Sequence, residues 1–91
     1  MVIKGLEFIK TCESCPEQYD VTDSIGRQVA YVRLRYGGLR CDYPDVGGET
    51  IYCADLDDEW LGEFRNEKER KYHLNVIADK ILEKVRTEIS N

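Results

Sequence analysis

The pattern of apolar and polar positions changes character at Gly62. Before it, short runs rich in Val, Ile, Tyr and Thr are separated by Pro16, Gly26, Gly37-Gly38, Pro44 and Gly47-Gly48, the texture of strands joined by turns. After it there is no Gly or Pro, and apolar residues recur at three- and four-residue steps. The pattern predicts an α+β chain and a single domain. An antiparallel β meander of four to five strands covers residues 1–56, a connector 57–65, and one long C-terminal α-helix 66–90 packs across one face of the sheet.

The clearest hairpin lies between Val29 and Tyr43. Ala30, Val32, Leu34 and Tyr36 alternate with Tyr31, Arg33 and Arg35; beyond Gly37-Gly38, Leu39, Cys41 and Tyr43 alternate with Arg40 and Asp42. A two-residue Gly-Gly turn suits the primed turn types of tight hairpins. Closing the hairpin there sets Tyr36 opposite Leu39, Leu34 opposite Cys41 and Val32 opposite Tyr43 on the core face, with Arg35 opposite Arg40 and Arg33 opposite Asp42 on the other. Upstream, Tyr19 and Val21 alternate with Asp20 and Thr22, and Asp23-Ser24-Ile25-Gly26 supplies a turn. Downstream, residues 49–54 form a strand of open register, with either Ile51 and Cys53 or Tyr52 and Ala54 inward. Residues 2–9 make the fifth strand.

The helix starts at Asn66, with Glu69 three residues on to complete a capping arrangement. Leu74, Ile77, Ala78, Ile81, Leu82, Val85 and Ile89 form its apolar stripe, and Glu67–Lys71 is a favourable pair on the wet side.

Ninety-one residues is one domain at most, and hydrophobic and charged contents of 42% and 34% exclude a wholly disordered, collagenous or membrane-spanning chain. Residues 1–62 hold six bases and twelve acids, and 63–91 seven bases and six acids, for a net −5. That sign disfavours general binding of nucleic acid or an anionic membrane. The N-terminal Met-Val-Ile-Lys-Gly-Leu has neither the apolar run nor the cleavage site of a secretory signal, so none is expected.

Cys15-Pro16-Glu17-Gln18-Tyr19-Asp20-Val21, Gly26-Arg27-Gln28-Val29-Ala30-Tyr31-Val32-Arg33-Leu34-Arg35, Asp42-Tyr43-Pro44 and Gly47-Gly48-Glu49-Thr50-Ile51-Tyr52 carry a resemblance. Together they resemble a group of small uncharacterised proteins of phages and mobile elements in Gram-positive bacteria, over roughly residues 15–82. The resemblance implies a cytoplasmic accessory role. It carries no catalytic residue, cofactor or binding residue to this chain.

Several motifs bear on chemistry. Cys12-Glu13-Ser14-Cys15 is a CxxC, but Pro16 and a strand follow it, where a redox CxxC has a helix N-terminus to lower its first thiol's pKa. With Cys41 and Cys53 the thiols number four, the complement of a structural zinc site, although no second CxxC is present. Unpaired reduced thiols are the plain alternative, with no cofactor. His73, the only histidine, falls beside the helix stripe with no nucleophile placed next to it by a local motif, so no catalytic pair and no enzyme activity is expected. Asp55, Asp57, Asp58 and Glu59 lack the EF-hand pattern and read as a solvated loop or as an acidic face for a basic partner. Tyr31, Arg33, Arg35 and Arg40 would project from the face away from the helix. The plain reading is an Arg–Asp laced solvent face; the sharper ones are a protein-binding face, since Tyr and Arg are enriched at interface hot spots, and stacking and phosphate contacts to single-stranded nucleic acid. Trp60 is expected to plug the end of the core. The expected function is therefore a small protein-interaction or accessory domain, with a nucleic-acid module and a zinc-stabilised domain as alternatives.

Overall fold

A computed structural model describes residues 1–12 and 16–90, with the side chains of Ile89 and Ser90 left aside. Six antiparallel strands form one sheet in chain order: β1 Val2–Ile3, β2 Leu6–Lys10, β3 Glu17–Thr22, β4 Gln28–Arg35, β5 Gly38–Tyr43 and β6 Glu49–Asp55. A helix, α1 Glu67–Ser90, follows. The α+β class and the meander stand as expected; the strand count is six. The extra strand arises because residues 2–9 are not one strand. Lys4 and Gly5 both have positive φ, 53° and 84°, and fold Ile3 back onto Leu6.

Alternation decides which side chains enter the core. Leu6 and Phe8, Tyr19 and Val21, Ala30, Val32 and Leu34, and Leu39 and Cys41 are buried on the face toward α1. They meet Leu74, Ile77, Ala78 and Ile81 of the helix stripe, with Leu82 and Val85 at its margin. Val29 is an extra residue where β3 pairs with β4, so it and Ala30 are both buried. A second irregularity falls at Ile51 in β6, and it settles the open register. Tyr52 opposes Cys41 and Ala54 opposes Leu39, both inward, while Cys53 points outward opposite Arg40.

The hairpin of β4 and β5 keeps its expected faces but not its register. Leu34 opposes Leu39, Val32 opposes Cys41, Arg33 opposes Arg40 and Arg35 opposes Gly38. The turn is Tyr36-Gly37, at φ 52° and 75°, rather than Gly37-Gly38. A two-residue shift preserves side-chain parity, so Val32, Leu34, Leu39 and Cys41 stay in the core, while Tyr36 passes from the strand into the turn and the charged partners on the outer face are exchanged.

Asn66 caps α1 through its side-chain oxygen, which accepts from the Glu69 amide at 2.8 Å. The reciprocal bond reaches one residue further back than expected: Glu69 accepts from the Arg65 amide at 2.9 Å and pairs with the Arg65 guanidinium. Glu67 pairs with Arg70 rather than with Lys71. Ion pairs tie the helix to the sheet and its first turn, among them Lys4–Asp79 at 2.5 Å, Arg70–Glu17 at 2.7 Å and Lys84–Glu49 at 2.8 Å.

Candidate interaction surface

The Tyr36-Gly37 turn does not end in solvent. The connector after β6 wraps over it: the Leu56 amide donates to Gly37 O at 2.8 Å, and the Gly37 amide donates to Leu61 O at 2.8 Å. The approach is so close that a Cβ on Gly37 would lie 2.2 Å from the Asp58 carbonyl oxygen. Only glycine supplies both that clearance and the positive φ. Within the connector, Asp55 accepts from the Asp57 amide at 2.9 Å and Asp58 from the Trp60 amide at 3.0 Å. These carboxylates therefore shape the loop as well as charge it.

This folding inverts the expectation for Trp60. Leu56 and Phe64 are buried and Leu61 half-buried at the end of the core, whereas Trp60 is 86% exposed. Tyr36, expected in the core opposite Leu39, sits at the turn and is 69% exposed. Tyr36 and Trp60 line one cavity of about 530 Å³ together with Asp55, Asp57, Asp58 and Glu59. The sequence suggested the acids as candidates; the two aromatics join them only because the connector is pinned to the turn.

A second groove, of about 570 Å³, opens beside it on the outer face of β4, β5 and β6. Arg33, Arg35 and Arg40 line it with Tyr36, Cys53 and Asp55. The expected Arg33–Asp42 pair is replaced by Arg33 opposite Arg40, and Arg35 faces Gly38 instead of Arg40. Asp42 is buried and lies 3.2 Å from Arg40 Nε, which is itself buried and out of line for a hydrogen bond to it. Asp42 also accepts from the Thr50 hydroxyl at 2.9 Å and the Gly47 amide at 3.3 Å. The Arg35 guanidinium lies 4.9 Å from the centre of the Tyr36 ring. Tyr31 is half-buried, and its hydroxyl donates to Gln18 Oε1 at 2.7 Å, so it stands aside from the groove. The structure thus brings Arg33, Arg35, Arg40 and Asp55 together, with Asp57 and Asp58 adjoining across Tyr36.

The cysteines do not converge. Cys41 points into the core, where burial and then the Asp42 charge push its thiol up to about 12, while Cys53 points out on the opposite face. Cys12 lies two residues beyond the end of β2, and Cys15 lies outside the described residues. Among the described residues no three His, Cys, Asp or Glu side chains are grouped to hold a metal ion. His73 is half-buried on α1, its Nδ1 3.2 Å from the Tyr52 hydroxyl and its ring stacked on Phe64 at 5.7 Å. Burial holds its pKa below the ordinary histidine value, against the opposing charge of Glu69. Comparison with protein-family models, curated proteins and solved structures finds no match to the chain. No helix among the described residues is long and apolar enough to cross a membrane.

One structural group escaped sequence reasoning. Glu17 is 1% exposed at the start of β3. Its carboxylate accepts from Arg70 Nε at 2.7 Å, from Arg70 Nη2 at 3.2 Å, from the Phe64 amide at 3.0 Å and from the Tyr19 hydroxyl. Its own amide donates to Gly62 O at 2.6 Å. Parity could have revealed it. Glu17 lies two residues before inward-facing Tyr19, and Arg70 lies one helical turn before buried Leu74.

Proposed function

We propose that this protein is a small cytoplasmic accessory domain that acts by binding a protein partner rather than by catalysis. Tyr36 and Trp60 are the anchors of the contact. The single observation carrying the reading is the exposure of Trp60, at 86%, on a backbone held by two hydrogen bonds to the turn that bears Tyr36. A tryptophan in solvent gains nothing for folding by its position. Presented rigidly beside a tyrosine and ringed by charge, it has the composition of an interface hot spot, and its rigidity reduces the ordering cost of association. The acids at 55, 57, 58 and 59 on one side and Arg35 on the other supply the polar rim. The resemblance of residues 15–82 to small proteins of phages and mobile elements supports an accessory role.

The test is affinity capture with the tagged full chain from a lysate of the source organism, comparing wild type with Trp60→Ala, Tyr36→Ala and Ile25→Ala. Ile25 is equally bare, at 83% exposed, but sits in the β3–β4 turn at the opposite end of the sheet. All three variants should melt with the wild type. A hot-spot truncation costs about 2 kcal/mol or more, roughly a thirtyfold loss of affinity. The partner should therefore be lost with Trp60→Ala and Tyr36→Ala and kept with Ile25→Ala. A partner retained equally by every variant would defeat the reading.

A further inference from the structure

The outer face is organised in rows that run across the strands. One row is Gln18, Arg33, Arg40 and Cys53; the next, two residues along, is Asp20, Tyr31, Asp42 and Thr50. On the other side of the arginine row, Arg35 is opposite Gly38 and Gly38 is opposite Asp55. Arg33 and Arg40 are therefore directly opposed, and Arg35 follows Arg33 on the same face. Directly opposed side chains start about 5 Å apart at Cβ, and like charges so placed destabilise a sheet. Asp42 offsets Arg40 alone. Arg33 has no ion-pair partner among the described residues, and Arg35 lies against the Tyr36 ring and hydroxyl. Three guanidinium groups thus line one groove of a chain whose net charge is −5.

We infer that this groove is a receptor site for a single phosphoryl dianion, held by Arg33, Arg35 and Arg40. Guanidinium groups match phosphate oxygens in paired, charge-assisted hydrogen bonds, and a dianion between Arg33 and Arg40 turns their repulsion into attraction. The surroundings set the size of the ligand. Rows on one face are spaced two residues, about 6.7 Å, apart. A polyanion crossing the groove would set its next charge against Asp42 and Asp20 on one side, or against Asp55 and the 57–59 acids on the other. A compact phosphate monoester can sit among the three arginines, with Asp55 as the one carboxylate of the groove's lining. The cavity is larger than the phosphate alone, and Tyr36, at its rim, would contact whatever carries it. The same chemistry is available from a phosphorylated side chain of a partner or from a small phosphorylated molecule. The inference stands independently of Trp60.

Cys53, exposed and directly opposite Arg40, is a built-in reporter. The experiment measures the rate of Cys53 alkylation by iodoacetamide, read by peptide mass in the full chain. Inorganic phosphate, a phosphoserine peptide, its unphosphorylated twin and a single-stranded oligonucleotide are each compared with chloride at equal ionic strength. Phosphate at about ten times its Kd should slow alkylation about tenfold. Arg33→Gln and Arg35→Gln should each raise the required concentration about tenfold, Arg33→Lys should fall between, and Arg27→Gln, on the remote β3–β4 turn, should match wild type. Arg35 is exposed, so its variant reports even where Arg33→Gln perturbs folding. Stronger protection by the phosphopeptide than by phosphate or the unphosphorylated twin identifies a phosphorylated side chain as the source; equal protection by phosphate and phosphopeptide identifies a small phosphate. Either result supports the site. No protection beyond chloride overturns it, and so does protection by the oligonucleotide alone with a steep salt dependence.

Discussion

Replacing Glu17 by Gln tests the node that joins sheet, connector and helix. The substitution keeps the size of the side chain and removes its charge. Glutamine offers one acceptor oxygen and an amide donor; the Tyr19 hydroxyl can turn to accept, but Arg70 and the Phe64 amide, which between them contact both carboxylate oxygens, are donors only. At least one of them must face the new NH₂ group, and Arg70 loses its buried counter-charge. Hydrogen bonds to charged groups are worth about 1.5–3 kcal/mol, and breaking a buried ion pair costs about 3–5 kcal/mol, so a loss of about 2–4 kcal/mol is expected. For a domain of this size that lowers Tm by roughly 10–25 °C. The pH dependence adds an independent check. Burial alone would raise the Glu17 pKa, but the Arg70, Tyr19 and Phe64 hydrogen bonds overcome it and hold the group below its ordinary value. A depressed folded-state pKa contributes stability that is present above the unfolded value, about 4.3, and is lost as pH falls through the folded value. Thermal melts followed by circular dichroism should therefore show a wide gap between wild type and variant at pH 7, closing below about pH 4 as the wild-type carboxyl is itself neutralised. A Tm difference near zero at pH 7, or a gap that stays constant down to pH 3, would refute the argument.

Gly37→Ala should destabilise by about 2–5 kcal/mol, because a left-handed backbone costs an L-residue about 1–2 kcal/mol and a methyl 2.2 Å from the Asp58 carbonyl forces the connector away. Its melting temperature should fall, and its partner capture should fail with that of Trp60→Ala; a variant with wild-type stability would show that the connector is not seated on the turn. His73 carries a lowered pKa, caused first by burial, so its contribution is present above about pH 6.5 and is lost as pH falls through the lower folded value. His73→Gln should flatten the stability profile just below about pH 6.5, and an unchanged pH slope in chemical denaturation would contradict the assignment.

Much of the fold was written in local period. Alternation over Ala30, Val32, Leu34, Leu39 and Cys41, and the three- and four-residue steps from Leu74 to Ile81, place each of those side chains in the core where the structure has them. Register is a different matter. Turns at Tyr36-Gly37 and at Gly37-Gly38 put the residues of the paired strands on the same faces and differ there only in Tyr36, so alternation cannot choose between them. The choice is made by contacts distant in sequence: the Leu56 and Leu61 hydrogen bonds to Gly37, and the absence of room for a side chain there. Apart from Tyr36, which moves from the core face to the exposed turn, the consequence falls on the charged face. A two-residue shift moves the like-charged pair from Arg35–Arg40 to Arg33–Arg40 and leaves Asp42 for Arg40 rather than Arg33. The arginines were therefore visible as a group in the sequence, while their pairing was not.

Trp60 is expected inside and lies in solvent, and Glu17 gives no apolar signal and lies inside, for one shared reason: hydropathy ranks a residue without regard to the path of its backbone. The connector is fixed at four points: the Leu56 amide to Gly37 O, the Gly37 amide to Leu61 O, the Glu17 amide to Gly62 O, and the Phe64 amide to the Glu17 carboxylate. Those bonds place Leu56, Leu61 and Phe64 over the end of the core. Trp60 lies between them on the far side of a turn closed by Asp58, which accepts from the Trp60 amide through its side chain and from the Leu61 amide through its carbonyl. The indole cannot turn inward without breaking the bonds that seat its neighbours. Burying the charge of Glu17 is thus the condition for exposing the aromatic ring of Trp60. The buried ion pair stabilises less than its geometry suggests, since desolvation opposes it. Its larger effect is to specify one trajectory for residues 61–64, and with it the surface on which the proposed partner would dock.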